Sequence, residues 1–304
     1  MDEINHEEML MTKITWFYYI ENMTQQKISE LLAISRARVI KLLEKARQTG
    51  MVQFKIRENR SIRMKIERDL VSKYGLVDAF ISATNESEIP GVIAKTAAMY
   101  ISGRIGENGI INMGFGATTG AVLNELAKIS EMTITCVSLT GGVNCYLPNV
   151  QSSIFNAKLK LIPFPLVVAS KEIAEAIKNE PSLDELTRMT RLASVSVVGI
   201  GSMSDNATVV DSGILTKNDM QYIKMRGAVG DILCQFIDKD GELIKTSIDE
   251  RLISTPLNTL KELDNVVGVA AGISKVEAIK AALKRKCLDV LITDEETALE
   301  LTKD

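Results

Sequence analysis

The first fifty residues repeat apolar positions at the spacing of α-helices, which predicts three short helices. Their apolar sides hold Ile14, Trp16, Phe17 and Tyr18 in the first (residues 12–21), Ile28, Leu31 and Leu32 in the second, and Val39, Leu42, Leu43 and Ala46 in the third. Thr24 and Ser35 directly precede the second and third helices, where their hydroxyls can act as N-caps. Gly50 is expected to end the third helix, and residues 51–56 alternate as a strand does. This order is typical of a winged helix-turn-helix.

The next segment, residues 61–75, predicts a charged amphipathic helix. Its apolar side holds Ile62, Ile66, Leu70 and Val71. A helix of this kind can connect two domains, hold two copies of the chain together, or do both, and the pattern leaves these alternatives open.

From residue 76 onward, short β-rich runs alternate with helical segments. The predicted strands are 78–84, 109–115, 132–139, 167–170, 194–201, 231–238, 265–272 and 289–294, and the predicted helices are 91–105, 120–130, 275–286 and a terminal helix. Such alternation predicts an α/β domain with a mainly parallel sheet flanked by helices. The chain is therefore expected to contain a DNA-binding head (1–57), a connecting or oligomerisation helix (58–75) and an α/β domain (76–304).

Charge is distributed unevenly along the chain. Residues 12–60 hold ten Lys or Arg against four Glu, a local charge of +6, whereas the whole chain carries −3 and the remainder therefore −9. A basic segment on an acidic protein indicates a polyanionic partner. The head residues expected to contact double-stranded DNA are Thr24, Gln25, Ser35, Arg36, Ala37, Arg38, Lys41 and Lys45. Arginine can bridge a guanine edge and lysine suits phosphates, although a basic stripe can also be merely solvated.

Loops rich in glycine follow several predicted strands of the α/β domain, in residues 114–120, 139–144, 199–203, 226–232 and 270–275. Ligands of such domains lie at the carboxyl ends of the strands, so these loops are expected to meet there. Thr118 and Thr119 bring hydroxyls and the first amides of a helix, which suits an anion. Asp231 can accept hydrogen bonds from hydroxyls, and Lys275 begins a helix beside a strand end. A polyhydroxylated phosphate ester fits this mixture, although the glycines can also serve turns alone.

Several classes of protein are disfavoured. The only histidine, His6, is expected in a disordered N-terminal tip, which excludes a histidine base or a histidine zinc site. No cofactor, metal or catalytic residue is expected, and the third glycine of residues 114–120 is displaced from the dinucleotide-binding fingerprint. No apolar run is long enough for a membrane span, and the acidic start does not suit a signal peptide. The dispersed thiols of Cys136, Cys145, Cys234 and Cys287 are expected to be reduced in a cytoplasmic protein.

The ordered segments resemble a known family. The head, from WFYY to RARVIKLLEK, and the later segments GFGATTG, LTGG, VVGIGSM, GAVGDILCQFIDKDGE and GVAAGISKVEAIKAAL are similar to the SorC family of bacterial transcriptional regulators. The resemblance spans nearly the whole chain. It implies an effector domain related to ribose-5-phosphate isomerase, glucosamine-6-phosphate deaminase and CoA-transferases, which senses a phosphorylated sugar. It also implies dimers or tetramers bound at operator DNA. WFYY, LTGGVNCY, IPFPL and RGAVGDI are most similar to the branch that controls autoinducer-2 uptake, whose effector is phospho-autoinducer-2.

The resemblance also assigns the effector site. The residues that it implies are Gly116, Thr118 and Thr119 for the phosphate, Gly141, Gly142 and Asn144 for the wall, and Asp231 and Lys275 for the hydroxyl or carbonyl end. One branch of the family captures its effector as a Schiff base on a lysine after LTGG, but this chain has Val143, Asn144 and Cys145 there. The expected function is therefore a regulator rather than an enzyme. The alternative is a sugar-phosphate isomerase or deaminase-like enzyme that carries a DNA-binding head.

Overall fold

The computed structural model describes residues 2–52, 58–82, 89–130, 133–142 and 157–303. The chain divides into two compact units, Met1–Ser61 and Ile62–Asp304. None of the helices in these described ranges is both long and apolar enough to cross a membrane.

The first unit is built from α1 (Asp2–Tyr19), α2 (Gln25–Leu31) and α3 (Arg36–Gln48). The hydroxyl of Thr24 accepts the Lys27 N–H at 3.2 Å, and that of Ser35 accepts the Arg38 N–H at 3.2 Å, so both predicted N-caps are confirmed. The core of this unit consists of Met11, Ile14, Ile28, Val39, Leu42, Leu43 and Ala46. Ala33, at φ 54°, makes the turn between α2 and α3.

Four details of the first unit differ from the sequence prediction. Helix α1 begins at Asp2 rather than Thr12, because no Gly or Pro interrupts the segment, and His6 lies in this helix rather than in a disordered tip. Trp16 is exposed because it lies two positions from the buried Ile14, and its indole N–H donates to Glu21. Leu31 is also exposed. Residues 53–57 of the predicted wing strand lie outside the described residues, and Met51 and Val52 form a bend.

Helix α4 (Glu58–Tyr74) begins where the connecting helix (58–75) was expected to begin, and it crosses the boundary between the two units. Within the second unit, Ile66 and Leu70 are buried, whereas Ile62 is exposed, so the predicted apolar side is correct for only part of its length. The side chain of Arg63 pairs with Glu295 at 2.8 Å, and the hydroxyl of Tyr74 donates to the carbonyl of Leu301 at 2.9 Å. These contacts fix the helix on the second unit.

The second unit contains a seven-stranded parallel sheet. Its strands are β1 (Asp78–Ser82), β2 (Ile110–Met113), β3 (Ile134–Ser138), β4 (Ala157–Lys160), β5 (Val195–Gly199), β9 (Val266–Val269) and β10 (Val290–Asp294). They lie in the order β1-β10-β9-β5-β2-β3-β4. The predicted α/β class is confirmed. The expected strand at 167–170 is wrong, since Val167 forms only an isolated bridge to Leu252.

Helices cover both faces of this sheet, α5 and α6 on one face and α12 and α13 on the other. The helices that follow α4 are α5 (Ile89–Ser102), α6 (Ala117–Ile129), α7 (Lys171–Lys178), α8 (Pro181–Arg191), α9 (Thr208–Asp211), α10 (Lys217–Met225), α11 (Leu257–Leu260), α12 (Val276–Lys284) and α13 (Glu295–Thr302). Neighbouring strand residues alternate between two cores, Val197 packing with α5 and α6 and Val198 packing with α12. Burial on both faces explains why the strands are nearly continuous apolar runs.

A small antiparallel sheet lies beside the large one. It is formed by β6 (Gly201–Ser202), β7 (Ala228–Ile232) and β8 (Gln235–Asp238). The single strand predicted at 231–238 is interrupted by the hairpin turn between β7 and β8, in which Leu233 and Cys234 have φ values of 53° and 61°. Positive φ at both turn residues is the geometry of a tight hairpin. The hairpin brings Asp231 next to β6.

Candidate functional site

A cavity of about 240 Å³ opens at the carboxyl ends of the parallel strands. Its walls come from the turn between β2 and α6, the segment after β5, the strand β7 and the 3₁₀ turn Ile273–Lys275. These segments carry Gly116, Thr118, Asp231 and Lys275, so the structure brings together four of the predicted effector-site residues.

The amino end of α6 forms one wall of the cavity. Gly116 precedes it with φ 130° and ψ 163°, a conformation that favours glycine, and no side chain caps the helix. The first amides of α6 are therefore available to a ligand. Thr118 lines the cavity, and its hydroxyl forms no hydrogen bond to any residue in the described part of the chain. Free amides, a hydroxyl and the positive end of the helix dipole can together hold an anion.

The hydroxyl of Thr119 has a different role from the one expected. Its side chain is fully buried and donates to the carbonyls of Gly114 at 2.9 Å and Gly116 at 2.8 Å. A threonine hydroxyl has one proton, so these two contacts use it within the turn. The side chain of Thr119 therefore shapes the turn, and the structure does not bring its hydroxyl to the cavity as predicted.

Asp231 lies buried in the opposite wall. Its carboxylate accepts the N–H of Cys234 at 3.1 Å, which orients it within the hairpin. Gly201 pairs with Asp231 in the small sheet, and a Cβ added there would lie 1.9 Å from Oδ1 of Asp231. Burial raises the pKa of Asp231 to about 6, although the Cys234 amide and the charge of Lys275 oppose the rise. The carboxyl group can therefore accept or donate hydrogen bonds near neutral pH.

Lys275 ends the 3₁₀ turn before α12 and lines the same cavity. Its Nζ donates to the carbonyl of Ile200 at 3.1 Å, which holds the side chain along the wall. Burial lowers the pKa of Lys275, and the charge of Asp231 partly opposes this effect. The two groups thus provide a hydrogen-bond donor and an acceptor for the polar end of a ligand.

Two predicted glycines do not line the described cavity. Gly141 donates its N–H to Ile253, and a Cβ there would lie 2.6 Å from the carbonyl oxygens of Phe164 and Pro165. The N–H of Gly142, at φ 76°, donates to Phe164. Both residues allow two backbone segments to approach each other, and neither lines the cavity, which corrects their predicted role. Asn144 lies outside the described residues.

Part of the cavity lining was not among the predicted site residues. Ser202, Ser204, Asn206 and Thr208 all face the cavity. The available signal was a run of small polar residues after the glycines of residues 199–201, a composition that suits a ligand with several hydroxyl groups. Within the described residues, no cluster of three or more His, Cys, Asp and Glu side chains could hold a metal ion.

The first unit carries the second group of predicted residues. Ala37 and the cations of α3 (Arg36, Arg38, Lys41 and Lys45) are exposed. Thr24 and Gln25 line an open cleft of about 630 Å³ together with Arg36, so the start of α2 and the start of α3 share one surface. Ser35 caps α3. Lys45 is not free, because its Nζ lies 2.6 Å from Oε1 of Glu7 on α1.

Comparison with known proteins gives a consistent set of relatives. A family of sugar-binding domains matches residues 60–303. The transcriptional regulator LsrR of Enterobacter sp. (strain 638) is 32% identical over 297 residues, covering 96% of this chain and 92% of that protein. LsrR of Escherichia coli (strain K12) is 33% identical over 302 residues, covering 98% of this chain and 95% of that protein.

Solved structures share the fold. The full-length sorbitol operon regulator SorC of Klebsiella pneumoniae aligns over 100% of both chains with a TM-score of 0.69 and 24% identity. The sugar-binding domain of a transcriptional repressor from Vibrio fischeri covers 78% of this chain and 97% of its own, with a TM-score of 0.68 and 25% identity. The relatives named here are transcriptional regulators rather than enzymes.

Proposed function

The chain belongs to the SorC family of sugar-binding transcriptional regulators, and from this premise we propose that it binds operator DNA under the control of a phosphorylated sugar or phospho-autoinducer-2. The DNA is bound by the first unit and the effector by the cavity of the second. The protein acts as a dimer or tetramer, as the family resemblance implies. The relatives are named as transcriptional regulators, which supports this proposal.

One observation carries the effector proposal. The cavity combines an uncapped helix start and the hydroxyl of Thr118 on one wall with Asp231 and Lys275 on another. The first wall suits a phosphate, and the second suits the hydroxyl or carbonyl groups of a sugar. Its volume of about 240 Å³ is below that of sites for drug-sized ligands, which supports a molecule the size of a monosaccharide.

The effector proposal is tested by thermal unfolding with a panel of sugar phosphates that includes phospho-autoinducer-2. A true effector present at 100 times its Kd should stabilise the protein by about 2.7 kcal/mol, and its dephosphorylated form should not at the same concentration. Thr118→Val should weaken the response to the phosphorylated ligand. If no phosphorylated compound raises the melting temperature, or if the dephosphorylated sugar acts equally well, the proposed phosphate site is wrong.

The DNA proposal depends on the first turn of α3. Arg38 is exposed there and can form two hydrogen bonds to a guanine edge, while the lysines of α3 suit phosphates. Arg38→Ala should weaken binding to promoter DNA that contains the operator by about 1–3 kcal/mol, with little change in effector affinity. Fluorescence anisotropy with promoter and scrambled duplexes measures this difference. Equal affinity of the variant and the native protein for the promoter would remove Arg38 from sequence recognition.

Regulation requires the two ligands to affect each other. The effector should change operator affinity by about 5- to 150-fold, the usual range of allosteric coupling, and operator DNA should change effector affinity by the same factor. Titrating each ligand in the presence of the other tests this reciprocity. An effector that binds the cavity but leaves operator affinity unchanged would contradict the regulatory role and leave the binding site intact.

A further inference from the structure

An ion pair crosses from the first helix to the proposed recognition helix. Oε1 of Glu7 on α1 lies 2.6 Å from Nζ of Lys45 on α3, and both side chains are about half exposed. The helices α1 and α3 already pack together through Met11, Ile14 and Leu43 in the core below. A solvent-exposed ion pair adds little to such packing, so its structural contribution is small.

Glu7 acts on more than one cation of α3. Its pKa lies below the usual 4.5, first because of the hydrogen bond and charge of Lys45, and further because of the charges of Arg38 and Lys41. The carboxylate is therefore ionised at neutral pH and lies beside the basic stripe formed by Arg38, Lys41 and Lys45. These are the cations that the proposed function assigns to DNA.

We infer that Glu7 is an internal counter-ion of this basic stripe, holding Lys45 in the free protein and giving it up to a DNA phosphate on binding. The inference rests on the proposed DNA-binding function. A lysine that binds a phosphate releases a cation condensed on the DNA, and this release makes binding depend on salt. Lys45 must give up Glu7 first, and the freed carboxylate takes up a cation from solution, which offsets that release. Glu7 therefore reduces both the affinity for DNA and its salt dependence.

The test uses full-length protein and a fluorescent duplex of random sequence, because phosphate contacts do not depend on sequence. The variants are Glu7→Gln, Glu8→Gln, Lys45→Gln and the double variant Glu7→Gln/Lys45→Gln. Glu8 is the matched control, since it is the next acidic residue of α1, is exposed and forms no ion pair in the described part of the chain. Each variant is titrated between about 50 and 200 mM KCl, and circular dichroism verifies the fold.

Glu7→Gln should bind DNA about 5-fold more tightly at the lowest salt, with a log–log salt slope steeper by about 0.9. This slope makes the gain shrink by about 3.5-fold across the salt range. Glu8→Gln should leave the slope unchanged, and the double variant should match Lys45→Gln. The inference is overturned if Glu7→Gln and Glu8→Gln behave alike, or if Glu7→Gln tightens binding equally in the Lys45→Gln background. If the native protein binds neither this duplex nor promoter DNA at any salt, the proposed function itself fails.

Discussion

Replacing Asp231 by asparagine should stabilise the protein at neutral pH while weakening its affinity for the effector. Asp231 is buried, and burial raises its pKa from 3.8 to about 6. This change corresponds to a cost of roughly 3 kcal/mol for ionising the carboxyl group in the folded protein. The cost is fully present above pH 6, decreases as the pH falls, and disappears below 3.8, where both the folded and the unfolded chain hold the proton.

The amide of the Asp231→Asn variant cannot ionise and so avoids this cost, while its oxygen can still accept the N–H of Cys234. Allowing for the attraction to Lys275 that is lost, we expect the variant to be more stable than the native protein by about 1–3 kcal/mol at pH 8. The advantage should fall towards zero near pH 4. Effector affinity should drop by about tenfold or more, because an ionised carboxylate forms stronger hydrogen bonds to ligand hydroxyls than an amide does.

The assay is urea unfolding at several pH values, followed by far-ultraviolet circular dichroism. The only tryptophan, Trp16, lies in the first unit, so its fluorescence separates that unit from the second. Asp205→Asn is the matched control, since Asp205 is exposed on the segment that lines the cavity, and its substitution should not produce this pH dependence. A variant that is less stable than the native protein at pH 8, or a difference that does not change with pH, would refute the reasoning.

Three further predictions concern residues beside these sites. Thr119→Val should destabilise the second unit by about 1–3 kcal/mol in urea unfolding, since the buried carbonyl of Gly114 loses its donor. Thr118→Val should change stability by less than about 0.5 kcal/mol, and equal losses would contradict the separate roles. Gly201→Ala should abolish detectable effector binding in calorimetry, because the added methyl group occupies the position of Oδ1 of Asp231, and retained affinity would show that this carboxylate is not needed. Ser35→Ala should destabilise the first unit by about 1 kcal/mol by Trp16 fluorescence, and no change would deny the capping role.

The sequence was sufficient for the parts of the fold that depend on local periodicity. Thr24 and Ser35 could be identified as caps because an N-cap is defined by its own residue type and the helix after it. The class of the second unit followed from alternating strands and helices. The start of α1 was missed because its first residues are charged and lack a clear apolar period, and the hairpin at Leu233 and Cys234 was missed because neither residue type favours positive φ.

The site was harder to predict because neighbouring residues of one type have different surroundings. Thr118 and Thr119 are chemically identical, yet the rotation of about 100° between successive helix positions turns one hydroxyl to the cavity and buries the other. Gly141 and Gly201 are both glycines after strands. The backbone of residues 164–165 packs closely against Gly141, whereas the carboxylate of Asp231 packs against Gly201. Such differences depend on which segments pack against a residue, and a single sequence does not contain this information.

The surroundings of Asp231 explain why the cavity is better suited to binding a ligand than to stabilising the fold. A carboxyl group with this raised pKa and a lysine with a lowered pKa both weaken the free protein, and a leucine-like pair at these positions would avoid that cost. Gly201 preserves the space for the carboxylate, at the expense of a side chain that could fill it. Each of these three residues favours the binding of a polar ligand at the expense of apolar packing in the free protein. Asp231, Lys275 and Gly201 all lie at one cavity, and the uncapped start of α6 forms part of its wall. These four features therefore serve one function, the binding of a polar ligand.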